Sequence, residues 1–402
     1  MNYFKSLIIL FAFGGMILGL GNHAVVHFLA AYNVDAAVAY SKSESIYLLP
    51  ATLIGLIAAL TLPRFISFRW LGVGLSLTCL VLLGLFAVIY YTPMFAAAVP
   101  YAAIGFGIMA KTFPLLLMVF LWGLANHMYS FSEACWHYPF LALVVGVGAA
   151  VGTLMTMAGA VQGVSALIML AVLLAGYGAL IAWLTNSMEP AYDRPIVAKK
   201  INHKATWVDY IIPATLLIGG AVLISKINYF VTTSEAREIY KDSTEALTTF
   251  LQNHVILLGL GGLVGFIALV GMAFYLRHDK DRAWKVSGWV LVGLGILIQV
   301  LPFAIPGDLR VSQLASIYDM SLLVVLMSLL ARIALTALPN DARFIALVWL
   351  EVLLIPIMRW SDAFTDSLGA GLIPAVVVLW VAVIVGMWLL SKLVEAHHSR
   401  RS

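Results

Sequence analysis

Four ionisable side chains interrupt long apolar runs in this chain: Lys111, Lys226, Asp319 and Glu351. A charge among such neighbours costs about 3 kcal/mol on membrane-insertion scales, so each needs a partner or a task. Asp319, in the run SIYDMSLLVV, has no basic residue within a helical turn. Two chemistries fit it: an ion pair with Lys226 or Lys111 from another helix, or coupling to a proton or a solute. Glu351 has Arg343 and Arg359 each eight residues away, beyond the reach of an i, i+4 pair. A carboxylate in that position can act as a proton carrier if its surroundings are dry. Lys226 follows GGAVLIS and either snorkels to an interface or lines a cavity, whereas Lys111 opens its run and suits snorkelling.

Uncharged polar groups add to these. His23 and His27 lie one helical turn apart beside Asn22. That spacing can hold a metal, but no carboxylate or third histidine is near in sequence, so polar packing in a cavity suits them better and no metal is expected. Asn126 and His127 close another apolar run, where an amide satisfies a helix end or contacts a solute. Cys79 and Cys135 lack metal-ligand spacing and read as packed thiols. The glycine-rich GLGGLVG, Gly259 to Gly265, sits inside an apolar run without a preceding strand, so it is packing and not a phosphate loop. With no nucleophile elbow or zinc-protease helix either, an enzyme is not expected, nor a cofactor.

The elements that must position these residues follow from composition. Of 402 residues, 63% are hydrophobic and 10% charged, and mean hydropathy is +1.01. Soluble domains carry about 25% charged residues, so lipid must be the solvent for most of this chain. In lipid every backbone amide needs an internal partner, which leaves helices or closed barrels, and apolar runs of about 20 residues select helices. The expected fold is an all-α polytopic membrane protein with about twelve transmembrane helices in two six-helix bundles. Spans are expected near 5–31, 45–63, 69–92, 107–130, 135–160, 162–185, 208–231, 253–276, 284–304, 312–335, 344–361 and 369–394. This divides the chain into a bundle over 1–185, a polar linker over 186–207 and a second bundle over 208–402. Lys5 followed by Leu7 to Leu20 resembles a signal peptide, but apolar character continues to Ala31 without a cleavage box, so a retained first helix is expected.

Charge placement sets an orientation. With both termini cytoplasmic, the inner segments collect sixteen cations: Lys5, Arg64, Arg69, Arg194, Lys199, Lys200, Lys204, Arg277, Lys280, Arg282, Lys285, Arg332, Arg343, Lys392, Arg400 and Arg401. The outer segments hold five, Lys42, Arg237, Lys241, Arg310 and Arg359. An odd number of spans would scramble this bias. The expected location is a bacterial inner membrane. Gly15 with Gly19, Gly148 with Gly152, and Gly261 with Gly265 repeat small residues one turn apart, a pattern for tight helix packing. Thr232 to Gln252 has apolar residues at helical spacing among charges and reads as a helix lying on the outer surface.

From Trp122 the sequence reads LWGLANHMYSFSEACWHYPFLALVVGVGAAVG. Trp122, Gly123, Ala125, Asn126, Glu133, Ala134, Tyr138 and Pro139 fall in the order W-G-x-A-N, E-A and Y-P. This resembles the junction of the fourth and fifth helices in the ATP/ADP translocases, the nucleotide transporters of intracellular bacteria and plastids. Weaker matches follow in the family's order: Asn22 in the first helix, Glu44 ahead of Pro50, Leu85 to Tyr90, Glu235 to Phe250, and Leu338, Pro339 and Arg343. The family's charged cluster after the first-helix asparagine is replaced here by His27 to Ala31. The acidic and lysine positions of its seventh helix fall on or near Tyr229 and Thr233, with Lys226 nearby, and its late Gly-Lys-Ser-Gly-Gly run by SDAFTDSLGAG from Ser361. The resemblance implies a major-facilitator-like pair of bundles that moves a small solute by alternating access, with a nucleotide or related anion as the first substrate expected.

Asn22, His27, Asn126, Lys226, Asp319 and Glu351 are thus the candidate substrate-binding or coupling residues. Two other readings stand beside a nucleotide carrier: a proton-coupled carrier of another small solute, and a membrane scaffold that transports nothing. The partners expected are the solute and the lipid bilayer, without nucleic acid, around a monomer.

Overall fold

The computed structural model describes residues 3–32, 45–62, 66–157, 164–186, 204–275, 280–305, 308–368 and 372–399. Most of the 186–207 linker, Glu44, and the side chains of Asn22, His23 and His27 lie outside the described residues. Twelve long helices account for nearly all of the rest. The first six are α1 (Tyr3–Tyr32), α2 (Ser45–Thr61), α3 (Phe68–Tyr91), α4 (Val99–Met128), α5 (Phe131–Met157) and α6 (Val164–Asn186), with a 3-10 turn (Pro93–Ala98) leading into α4. The second six are α7 (Lys204–Ile239), α8 (Thr244–Tyr275), α9 (Lys280–Ala304), α10 (Leu309–Leu335), α11 (Asn340–Leu368) and α12 (Leu372–Ser399). Ten are long and apolar enough to cross a membrane, and α2 has a shorter apolar stretch, Leu49–Thr61. With Asp341, Arg343, Glu351, Arg359, Asp362 and Asp366, α11 carries as many charges as the longer α7, yet Pro356 does not end it.

Large apolar side chains such as Val172, Leu297 and Val378 are about two-thirds exposed. In water such a surface would drive aggregation; in hydrocarbon it is the solvent face. Helices carry internal prolines at Pro50, Pro114, Pro139, Pro213 and Pro302, which membrane helices tolerate when neighbours satisfy the freed carbonyls.

The chain forms two compact units, Met1–Met128 with Val144–Asn202, and Tyr129–Leu143 with His203–Ser402. In the first, α3 packs on α6 and α2 on α4. Phe86 and Phe106 stack with ring centroids 4.4 Å apart at the centre of a cluster that also holds Leu83, Ala103 and Leu167. Two glycine repeats meet face to face. A Cβ on Gly15 would lie 2.3 Å from the Val145 carbonyl oxygen, and one on Gly148 2.4 Å from that of Ala12. Gly19 and Gly152 repeat this against Ala149 and Met16. The repeats therefore let α1 and α5 touch backbone to backbone inside one unit.

In the second unit α7 packs along α11 and α12, with Gly386 close against the Pro213 carbonyl. The outer amphipathic helix expected over 232–252 is not a separate element. The structure carries α7 through to Ile239, turns at Tyr240 to Ser243, and starts α8 at Thr244. The apolar positions of that segment serve two span ends: Ala236 is fully buried on α7, and Phe250 on α8 packs against Tyr240 at 5.9 Å.

Candidate functional site

Asp319 is 1% exposed, in the middle of α10, where the helix widens into a π segment from Tyr318 to Leu323. There the Val324 amide donates to the Asp319 carbonyl, five residues back. Such segments add a residue to one turn and recur at functional sites. Asn228 of α7 donates from Nδ2 to Asp319 Oδ2, and from the same nitrogen to Gln299 Oε1 of α9 at 2.8 Å. Gln299 Nε2 returns a bond to Asn228 Oδ1, also at 2.8 Å. Both protons and the oxygen of the Asn228 amide are therefore engaged. Asp319 Oδ1 is buried without a hydrogen-bond partner, and Asp319 has no basic partner among the described residues. The ion pair with Lys226, one of the arrangements the sequence allowed, is not formed among the described residues. Lys226 precedes Asn228 by two positions on α7 and so points to a different side of that helix.

The polar seam continues along the same helices. Thr232 Oγ1 donates to the Ser312 carbonyl at 2.9 Å, and Tyr318 donates its hydroxyl to the Leu291 carbonyl at 2.8 Å. His254 of α8 is fully buried, with Nε2 3.2 Å from Ser316 Oγ and its ring stacked between Tyr229 and Phe250. Its Nδ1 is buried without a partner among the described residues. Asn228, Gln299 and His254 are the residues that sequence reasoning missed. Each is a polar side chain inside an apolar span, the same signal that marked Asp319, but none carries a full charge and so none stood out.

Glu351 departs from the free proton carrier that sequence allowed. Arg332 of α10 donates to Glu351 Oε1 from Nη2 at 2.5 Å and from Nε at 3.1 Å, and from Nη1 to Ser328. The two side chains are 11% and 13% exposed. The partner lies on the preceding helix, which spacing along α11 could not reveal. Arg332 is likewise an ion-pair partner and not a bare interfacial anchor.

Asn126 is 1% exposed near the end of α4, in the first unit. The stretch that carries the family resemblance has structural work around it. Trp122 meets Phe11 edge to face at 5.2 Å, and Glu133 Oε2 accepts from the Ser130 amide and hydroxyl at 2.9 and 2.8 Å, capping α5. Arg343 donates to the carbonyls of Leu338 and Tyr129 at 2.5 and 2.9 Å, beside the fully buried Tyr138. Cys79 and Cys135 are buried free thiols. Among the described residues no group of three or more His, Cys, Asp or Glu could hold a metal.

Chemically, the seam offers one carboxylate, taken out of water and facing a single amide donor, Asn228. A proton can join Oδ1 without breaking the Asn228 bond to Oδ2, so the group can change charge while its position is held.

No family model and no curated protein matches the sequence. Solved structures match over nearly the whole chain. A bacterial homologue of the iron transporter ferroportin, in an outward-facing state, is 14% identical with a TM-score of 0.65, covering 98% of this chain and 99% of that one. The Escherichia coli fucose:proton symporter FucP is 11% identical with a TM-score of 0.65 over 98% of both chains. The proton:xylose symporter XylE is 13% identical with a TM-score of 0.62, over 97% of this chain and 94% of that one. FucP and XylE are major facilitator superfamily proteins. The chain therefore has the major facilitator fold, an all-α multi-pass membrane architecture, as the sequence led one to expect.

Proposed function

We propose that the chain is a secondary active transporter that moves a small solute across the bacterial inner membrane by alternating access, with Asp319 carrying the coupling proton. The observation that carries this reading is the burial of Asp319 in a π segment with an amide on one oxygen and no partner for the other among the described residues. A scaffold without transport has no use for a carboxylate that costs about 3 kcal/mol to place there. The fold supports the reading, since two of its solved likenesses are proton symporters. Lys226, Asn126, Asn22 and His27 stay on as solute-contact candidates in a monomer with both termini cytoplasmic. Glu351 stays on as a coupling candidate too, now with Arg332 as its ion-pair partner.

A nucleotide or other anionic metabolite is the second substrate reading, favoured by the Trp122 to Pro139 resemblance alone. The test is uptake by the purified full chain in proteoliposomes, with and without an inward proton gradient, across labelled nucleotides, hexoses, deoxyhexoses, pentoses and iron. Gradient-driven accumulation of one solute class supports the reading and identifies the class. Exchange that ignores the gradient removes the proton from it, and silence across the panel removes those solutes.

A further inference from the structure

The start of α9 carries a stripe that the transport reading does not use. Arg282, Lys285, Val286, Trp289 and Val290 line one open groove of about 520 Å³, and their spacing of three and four residues puts them on one helix face. Two cations stand at its polar end, Val286 and Val290 are about 40% exposed below them, and Trp289 lines the groove beside the valines. Leu294, Leu297 and Leu301 continue the same face, from 38% to 66% exposed, so a cationic head leads into an apolar track. Alongside, Lys285 donates to Glu395 Oε1 at 2.5 Å and Lys392 to Glu395 Oε2 at 3.2 Å. One carboxylate thus faces two ammonium groups and holds Lys285 at the groove. The segment 277–285 has four cations, Arg277, Lys280, Arg282 and Lys285, against Asp279 and Asp281.

We infer that this groove is a binding site for an anionic phospholipid, its phosphate against Arg282 and Lys285 and an acyl chain along Val286, Val290, Leu294 and Leu297. Charge complementarity selects the head, because a zwitterionic lipid brings its own cation to the two already present. The continuous apolar track selects a lipid over a free phosphate compound, which has nothing to lay on it. Trp289, near the start of the track, offers an apolar body and a polar edge, as indoles do at the membrane interface. This site is independent of Asp319 and of any solute, so it stands or falls separately from the transport reading.

Native mass spectrometry of the purified, delipidated full chain tests it, with dioleoyl phosphatidylglycerol as the probe and dioleoyl phosphatidylcholine as its neutral match. The expected result is preferential retention of phosphatidylglycerol and about thirtyfold weaker retention in Arg282→Gln/Lys285→Gln, at about fivefold per cation near an anionic surface. Arg237→Gln/Lys241→Gln, with the same charge loss elsewhere, is expected to bind as the unaltered chain does, and glycerol 3-phosphate is expected not to compete. Equal retention of the two lipids, an unaffected Arg282/Lys285 variant, or full competition by glycerol 3-phosphate would each overturn the proposal. All these exchanges are at exposed positions, and a thermal melt of each variant shows that it is folded.

Discussion

Replacing Glu351 by Gln separates a structural ion pair from a coupling group, because the two roles predict different losses. The Arg332–Glu351 contact is a two-pronged bond between side chains only 11% and 13% exposed. Removing one member of such a pair leaves an uncompensated charge and costs about 3–5 kcal/mol. Here Arg332 keeps its bond to Ser328, which offsets part of that loss, so about 3 kcal/mol is expected for Glu351→Gln. Arg332→Met leaves the carboxylate without any donor that the structure gives it, and should cost more, about 4–5 kcal/mol. The double variant Arg332→Met/Glu351→Gln removes both charges and should recover much of the loss, since neither member is left as an uncompensated buried charge. The assay is reversible unfolding of the four proteins in detergent micelles, read by tryptophan fluorescence and closed as a double-mutant cycle. A coupling energy of about 2 kcal/mol or more is expected. Single variants as stable as the parent, with losses that simply add in the double, would refute the pairing.

Three other outcomes follow from the packing. Gly15→Val should separate α1 from α5, since its Cβ would lie 2.3 Å from a backbone oxygen, and should lower the melting temperature sharply; Gly74→Ala, with open space around it, should not. Arg343→Ala removes the donors to the Leu338 and Tyr129 carbonyls and should destabilise by several kcal/mol, and a melt that does not move would count against those bonds. Asn228→Leu strips Asp319 Oδ2 of its donor and Gln299 of its partner, with an expected cost of about 1–3 kcal/mol beyond the change in packing, measurable by the same unfolding assay.

The helices were legible because each apolar run is about as long as a bilayer is thick, and the glycine repeats signalled tight packing without saying that α1 and α5 are the helices that meet. Asp319 was legible as a candidate because a charge in such a run is rare. Its partners were not. Asn228 and Gln299 lie 91 and 20 positions before it in the chain, and only the packing of α7, α9 and α10 brings them together. Glu351 illustrates the converse: its spacing to Arg343 and Arg359 was read correctly, yet the charge that meets it comes from α10. Thr232 to Gln252 misled because two amphipathic span ends joined by a short turn have the same periodicity as one surface helix. The Trp122 to Pro139 resemblance falls on a helix junction, and junction residues such as Glu133 serve the backbone whatever the solute.

Whether Asp319 couples transport to protons is decided by comparing Asp319→Asn with the unaltered chain in one proteoliposome assay. Asparagine keeps the size of the side chain and an acceptor for Asn228, but it cannot take up and release a proton. Gradient-driven accumulation is expected to be lost while solute exchange across the membrane continues. Accumulation that persists in Asp319→Asn, with the same dependence on the gradient, would contradict that coupling.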